Sequence, residues 1–145
     1  MDKNKLYKEF RKVLRRESLK MTQQRISVLD DVMKGDNHRE CEEIYLSIRS
    51  SGAHISRATV YRTMDILVKY KFARKIEIGD GRARYERKYG EMHHDHIICM
   101  GCDRIIEFID EGLENKQVEI SKKHGFKLVH HIHQLYGYCE ECRTK

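Results

Sequence analysis

His93-His-Asp-His-Ile-Ile-Cys-Met-Gly-Cys102 puts three histidines, one aspartate and two cysteines within ten residues. Imidazole with carboxylate suits iron, manganese, cobalt or zinc, and paired thiolates suit zinc. A second C-x-x-C, Cys139 and Cys142, lies near the C-terminus. Two such pairs can supply four thiolates to one tetrahedral ion, so Cys99, Cys102, Cys139 and Cys142 read as a structural zinc site. The competing reading, two unrelated redox or core pairs, is the weaker one. The span Asp103–Tyr138 is longer than a compact zinc ribbon needs, so a helix and strands must fold between the pairs. Within the opening stretch, His94 and His96 lie two apart and would project from one face of a strand. His93 and Asp95 would project from the other. One short strand could then feed two metal sites.

The 145 residues suffice for one ordinary domain or two small ones. Charged residues make up 36% and apolar residues 39%, the balance of a soluble globular chain. No apolar run approaches the roughly 20 residues of a membrane span, so no membrane partner is expected. The N-terminal MDKNKLYKEFRKVLRRE has no apolar segment of the signal-peptide kind, which predicts a cytoplasmic protein. Thiols there stay reduced, favouring metal over disulfide for the paired cysteines. Cys41 stands alone and reads as a small apolar residue on a helix. Charge is divided unevenly: residues 1–90 hold 22 Lys and Arg against 13 Asp and Glu, a net of +9, while residues 91–145 hold 7 against 10, a net of −3. A basic half joined to an acidic, ligand-rich half suggests a polyanion-binding domain, 1–90, followed by a metal-binding one, 91–145.

Four helices are predicted in the first half. Leu6, Phe10, Val13 and Leu14 repeat at helical spacing over 3–17. Thr22 caps a second helix reaching Met33, with Gly35 as its stop. A third runs from about Glu40 to Ser50, and Ser56 caps a fourth through Tyr70. The short turn 51–55 gives helices three and four the spacing of a helix-turn-helix. Arg57, Thr59, Tyr61 and Arg62 then face outward at the start of the fourth helix, where recognition helices meet base edges. A hairpin follows, 73–78 and 82–87 about a Gly79-Asp80-Gly81 turn, making a winged helix. Its Arg82, Arg84, Arg87 and Lys88 can meet phosphates. In the second half, 97–99 and 105–108 read as strands, and Asp110 caps a helix through Lys123. The alternation over 126–133 predicts another strand, and 135–138 a last one. This unit is a small α+β domain whose strand edges and apolar residues favour self-pairing into a dimer.

With these motifs in hand, the chain resembles the ferric uptake regulator family along nearly its whole length. SRATVYRTMDIL (56–67) is similar to the family's recognition helix, HHDHIICMGCDRIIEF (93–108) to its metal signature, and HGFKLVHHIHQLYGYCEEC (124–142) to its C-terminal block. The resemblance implies a homodimeric, metal-activated repressor of α+β class. An N-terminal winged helix-turn-helix would read double-stranded operator DNA, with Lys20, Tyr61 and Arg62 among its contacts, and a small α+β dimerisation domain would follow. It also implies structural Zn(2+) on the four paired cysteines and regulatory Fe(2+), with Mn(2+) or Zn(2+) as alternatives, on His38, Glu86, His94, His96 and Glu107. A further site would fall on His93, Asp95, Glu114 and His131. The segment HRECEEIY after His38 is shorter than in some iron-responsive members, so His38 is the one candidate ligand there.

An ion held by His38 and Glu86 from one half and by His94, His96 and Glu107 from the other would bridge the domains, fixing the spacing of two recognition helices in a dimer. Two rivals lie within the same resemblance. Peroxide-sensing members tend to carry aspartates at the two carboxylate positions, where this chain has Glu86 and Glu107; a zinc-uptake regulator is the other. A metal-dependent hydrolase belongs to a different class, but no HExxH helix or two-carboxylate pair supports it, and the winged helix would be left without a role.

Overall fold

The computed structural model describes residues 1–35 and 38–144. They form two compact units, Met1–Glu91 and Met92–Lys145.

The first unit orders α1 (Lys3–Arg16), α2 (Gln23–Lys34), α3 (Cys41–Ser50) and α4 (Arg57–Lys69) before the hairpin β1 (Ala73–Glu77) and β2 (Ala83–Arg87). Each helix start has a side-chain reason. Asp2, Thr22 and Ser56 accept hydrogen bonds from backbone N–H groups of the first turns of α1, α2 and α4, which would otherwise lack partners. The apolar stripes meet in one core. Leu6, Phe10, Leu14, Leu29, Ile44, Met64 and Leu67 are all 1% exposed or less, each burial contributing roughly 1.5–3 kcal/mol. Phe72, just past α4, stacks on Tyr89 at 5.3 Å and meets Phe10 edge-on at 5.9 Å. Between α3 and α4, Gly52 takes φ +92° with nothing near a would-be Cβ, so conformation alone requires glycine there. Arg39 adds a single antiparallel bridge to Tyr85 of β2.

Gly35 is the expected stop of α2, but not through the usual left-handed turn. Its φ is −79°, within reach of any residue. Space is what demands glycine, because an added Cβ would lie 2.1 Å from Arg39 Nη2 and 2.7 Å from the Asp31 carbonyl.

The second unit holds β3 (Asp95–Cys99), β4 (Ile105–Phe108), α5 (Glu111–Lys123) and β5 (Gln134–Gly137). The sheet order is β4-β3-β5, with β4 antiparallel and β5 parallel to the central strand. Asp110 caps α5 through the Leu113 N–H. The strand predicted over 126–133 is not one: those residues are irregular, and the strand begins at Gln134. Both edges of β3 are already occupied, by β4 and β5, and among the described residues the alternating segment pairs with no strand. Phe126 is 71%, Val129 89% and Ile132 77% exposed, and no residue of α5 is buried. Among the described residues, no helix is long and apolar enough to cross a membrane.

Candidate functional site

The paired cysteines converge. Cys99 ends β3, Cys102 follows in a tight knuckle, and Cys139 and Cys142 come from the turn after β5. All four sulfurs lie within 4.8 Å of one another, and Cys102 Sγ is 3.9 Å from Cys139 Sγ. A tetrahedron with metal–sulfur bonds of ~2.3 Å has edges of about 3.8 Å, so the cluster fits zinc. Gly101 lets the second pair close on the first: a Cβ there would sit 2.9 Å from both Cβ and Sγ of Cys142. The backbone N–H of Cys139 donates to Cys99 Sγ at 3.3 Å, the main reason that thiol is drawn down to about 6. Cys142, crowded by the sulfurs of Cys139 and Cys99, is pushed up to about 12. Four thiolates cannot coexist at this spacing without a cation between them. None of the cysteines forms a disulfide, and Cys41 lies buried in the helical core.

A second cluster is built wholly within the same unit. His93 Nε2 lies 3.3 Å from both Asp95 Oδ1 and Glu114 Oε1, and His131 Nε2 lies 3.4 Å from the same two oxygens. His93 precedes β3, Asp95 opens it, Glu114 sits in the first turn of α5, and His131 comes from the irregular segment before β5. Asp95 is 1% exposed. Asp95 Oδ2, Glu114 Oε1 and His131 Nε2 are buried with no hydrogen-bond partner. Buried polar atoms are rarely left so. Two carboxylates and two imidazoles converging on one point satisfy the charge and ligand preference of a divalent transition metal.

The remaining ligand candidates fall into one set in each unit. In the first, His38 Nε2 lies 3.1 Å from Glu86 Oε2, and Glu86, 2% exposed, also has Arg74 Nη1 3.5 Å from its other oxygen. His38 takes φ +67°, the left-handed region, while its N–H donates to the Tyr85 carbonyl at 2.9 Å. Such backbone persists only where its surroundings over-determine it, here by the bridge to β2. In the second unit, His94 Nε2 is 3.6 Å from Glu107 Oε1, the His94 and His96 rings stand 5.0 Å apart, and His96 faces Glu107 in the β3–β4 register. The two faces of β3 are thus divided as the spacing predicts, His94 with His96 and His93 with Asp95.

The DNA-contact candidates differ in how they are held. Lys20, Tyr61 and Arg62 are exposed. Arg57 is exposed too, but its Nε and Nη2 donate to Glu42 at 2.9–3.1 Å, and its guanidinium lies 4.4 Å over the Tyr45 ring. Thr59 is half-buried and spends its N–H and hydroxyl on Ser56 Oγ, at 3.2 and 3.0 Å. On the wing, Arg82 is clasped by Glu40 at 2.7 and 2.8 Å. Arg84, predicted to meet phosphate, is only 7% exposed and turns onto Asp80 at 2.9 Å. The hairpin turn carboxylate, four residues back, captures it. The sequence reading passed over Glu40, Glu42 and Asp80 as anchors. The i,i+4 spacing of Asp80 and Arg84 was a usable signal; the 15- and 42-residue separations of the other pairs were not.

Residues 16–136 match the model of the ferric uptake regulator family. The ferric uptake regulation protein of Campylobacter jejuni is 38% identical over 142 residues, spanning 97% of this chain and 90% of that protein. The ferric uptake regulator of Helicobacter pylori, whose solved structure is described as revealing three functional metal-binding sites, superposes with a TM-score of 0.88 at 34% identity, over 99% of this chain and 95% of that one. The Francisella tularensis ferric uptake regulator, solved with iron, gives 0.76 at 30% identity, over 86% and 95%.

Proposed function

The chain belongs to the ferric uptake regulator family, and from that premise we propose how its residues divide the work of a metal-responsive transcriptional regulator of iron uptake. It is a DNA-binding homodimeric repressor, not an enzyme. Its N-terminal winged helix, 1–90, reads the operator, and its C-terminal α+β unit, 91–145, holds metal and the second protomer, in the cytoplasm.

Three ions fit the donors present, the number described for the Helicobacter pylori relative. Zinc on Cys99, Cys102, Cys139 and Cys142 is structural, tying β3 to the chain's last turn. Fe(II) on His38, Glu86, His94, His96 and Glu107 is the switch. His93, Asp95, Glu114 and His131 take a further divalent ion that fastens α5 and the segment before β5 to β3. Lys20, Arg57, Tyr61 and Arg62 face DNA, with Thr59 in the cap of the reading helix. The exposed Phe126, Val129 and Ile132 belong to the face that meets the second protomer.

One observation carries the regulatory assignment. Each unit presents its own imidazole–carboxylate contact, His38 with Glu86 and His94 with Glu107, and neither contact alone completes an ion's coordination. An ion that needs ligands from both units binds only when both are brought to it. Its differential affinity for that arrangement is what can shift DNA binding. A coupling of about 1–3 kcal/mol would change operator affinity roughly 5- to 150-fold, with operator DNA tightening metal binding by the same factor.

The experiment compares His96→Ala and His38→Ala, each zinc-loaded and dimeric, by fluorescence anisotropy on operator duplex with and without Fe(II) or Mn(II). Both should retain dimer and zinc and lose the metal-induced gain in affinity. If His38→Ala and Glu86→Ala keep the full gain, the ion does not join the units, and the switch moves to the Asp95 cluster.

A further inference from the structure

Arg57 is the first residue of α4, and Glu42 lies in the first turn of α3, so their ion pair ties together the two helices of the helix-turn-helix. Arg57 Nε donates to both Glu42 oxygens, at 3.1 and 3.0 Å, and Nη2 donates to one at 2.9 Å, while the Tyr45 ring lies 4.4 Å from the guanidinium carbon. One edge of the fork and one face of the plane are thereby occupied. Both side chains are nonetheless well exposed, 60% for Arg57 and 44% for Glu42.

Exposed pairs are weak, so stability does not account for such a complete clamp. Its position does. A cation at the start of a reading helix is the group most readily drawn to any DNA phosphate, which carries no sequence information. A carboxylate seated on that cation cancels its charge for passing phosphates. It leaves the other edge of the fork, which can still give two parallel N–H bonds to an acceptor pair such as guanine O6 and N7. The stacked tyrosine holds the plane in which that edge is offered.

We infer that Glu42 is a specificity-determining residue: it withholds Arg57 from sequence-independent phosphate binding and presents it, oriented by Tyr45, to one operator position. The inference rests on α4 being the reading helix, an assignment that Arg62→Ala tests separately.

The probes are two labelled duplexes of equal length, one selected by the intact Mn(II)-loaded protein from a random pool and one scrambled, titrated by anisotropy across a KCl series. Glu42→Gln should bind the scrambled duplex about three- to tenfold more tightly, with the slope of log K against log salt steeper by about 0.9 for each protomer whose freed Arg57 gains a phosphate contact. Affinity for the selected duplex should rise less, so the ratio between the two duplexes falls. Arg57→Gln should lose about tenfold or more on the selected duplex while leaving the scrambled one nearly unchanged. In the double variant the Glu42→Gln gain should vanish, because the cation it released is gone. An unchanged scrambled affinity and slope in Glu42→Gln would overturn the inference. So would an equal gain in the Arg57→Gln background, which would mean that any lost carboxylate does the same. If Arg62→Ala itself binds the selected duplex normally, the fault lies with the choice of α4 as reader.

Discussion

Asp31→Ala should be among the most damaging single changes in the DNA-binding unit, although Asp31 is neither a metal ligand nor a DNA contact. Its carboxylate is 5% exposed at the end of α2. Ser47 Oγ of α3 donates to Oδ1 at 2.7 Å, and Arg39 Nη2 stands 2.9 Å from Oδ2, a charge contact without the alignment of a hydrogen bond. Removing one member of a buried ion pair costs about 3–5 kcal/mol, because the other charge is left without compensation. Here the lower end applies: the Arg39 side chain is 15% exposed and keeps its other interactions, among them a 3.1 Å bond to the Asp31 carbonyl. The expectation is a loss of about 3 kcal/mol against a total of about 5–15. Urea unfolding followed by circular dichroism, with zinc present and no other metal, measures it. Gly35→Ala should mimic much of the loss with the carboxylate intact, since the added methyl occupies the space of the Arg39 guanidinium. The consequence reaches function through the backbone: Arg39 pairs with Tyr85 in both directions, at 3.1 and 2.7 Å, and in sequence Arg39 adjoins His38 while Tyr85 adjoins Glu86. Loosening the supports of metal ligands commonly costs 10- to 100-fold in affinity, so Mn(II) binding at the regulatory site should weaken about tenfold. A loss under about 1 kcal/mol with an unchanged denaturant slope would refute the reasoning, for it would mean that Arg39 finds water or another partner at no cost.

Cys99→Ser should lose one zinc per protomer and, with it, the dimer, whereas Cys41→Ser should keep its zinc; metal analysis with sedimentation velocity reads both. Arg62→Ala should cost about 1–3 kcal/mol on selected DNA and far less on scrambled DNA, and equal losses on both would argue against base reading. Val129→Asp places a charge on an 89% exposed apolar position and should yield a folded, zinc-loaded monomer if that face meets the second protomer. On acidification, the pairs Glu40–Arg82, Glu42–Arg57 and Asp80–Arg84 should weaken. Each carboxyl is held below its ordinary range first by its arginine's hydrogen bond, so its contribution is present above the unfolded-state pKa and lost as pH falls through the folded one. A pH titration of wing and α3 side-chain NMR signals follows this directly.

Much of the fold was legible because the chain states its elements locally. Ser56 three residues before Thr59, a stripe of Val60, Met64 and Leu67, and a glycine-flanked turn are short-range signals, and the helix-turn-helix follows from them. The four cysteines were legible for another reason: thiolate chemistry at that spacing has few uses outside zinc. The Asp95 cluster lies between these cases. Strand alternation puts His93 beside Asp95, but the placement of Glu114 and His131 across them depends on how α5 and the segment before β5 return to the sheet, and the sequence reading reached it only through the family resemblance. Arg39 and Asp31 were missed altogether. Neither belongs to a motif, and what joins them is the space left by the absent side chain of Gly35.

The charge count misled in an instructive way. A net of +9 over the first 90 residues suggests a broadly cationic face, yet Arg57, Arg82 and Arg84 each meet a carboxylate within hydrogen-bonding distance. Net charge sets the long-range attraction to DNA, which summation over the unit preserves. Contact chemistry is decided pair by pair, and there the acidic residues at the start of α3 and in the wing turn reduce what the arginines offer to phosphate. The segment 126–133 misled differently. Its residues alternate in type, but those turned inward are Leu128, His131 and His133, while Phe126, Val129 and Ile132 stay exposed. Period-two alternation is a statement about a chain that has a neighbouring strand. Within one protomer β3 has no free edge; the segment sets His131 against Asp95 and Glu114 and leaves Phe126, Val129 and Ile132 uncovered. For a protein of a dimeric family, that uncovered row is the part of the sequence pattern that one chain alone cannot fulfil.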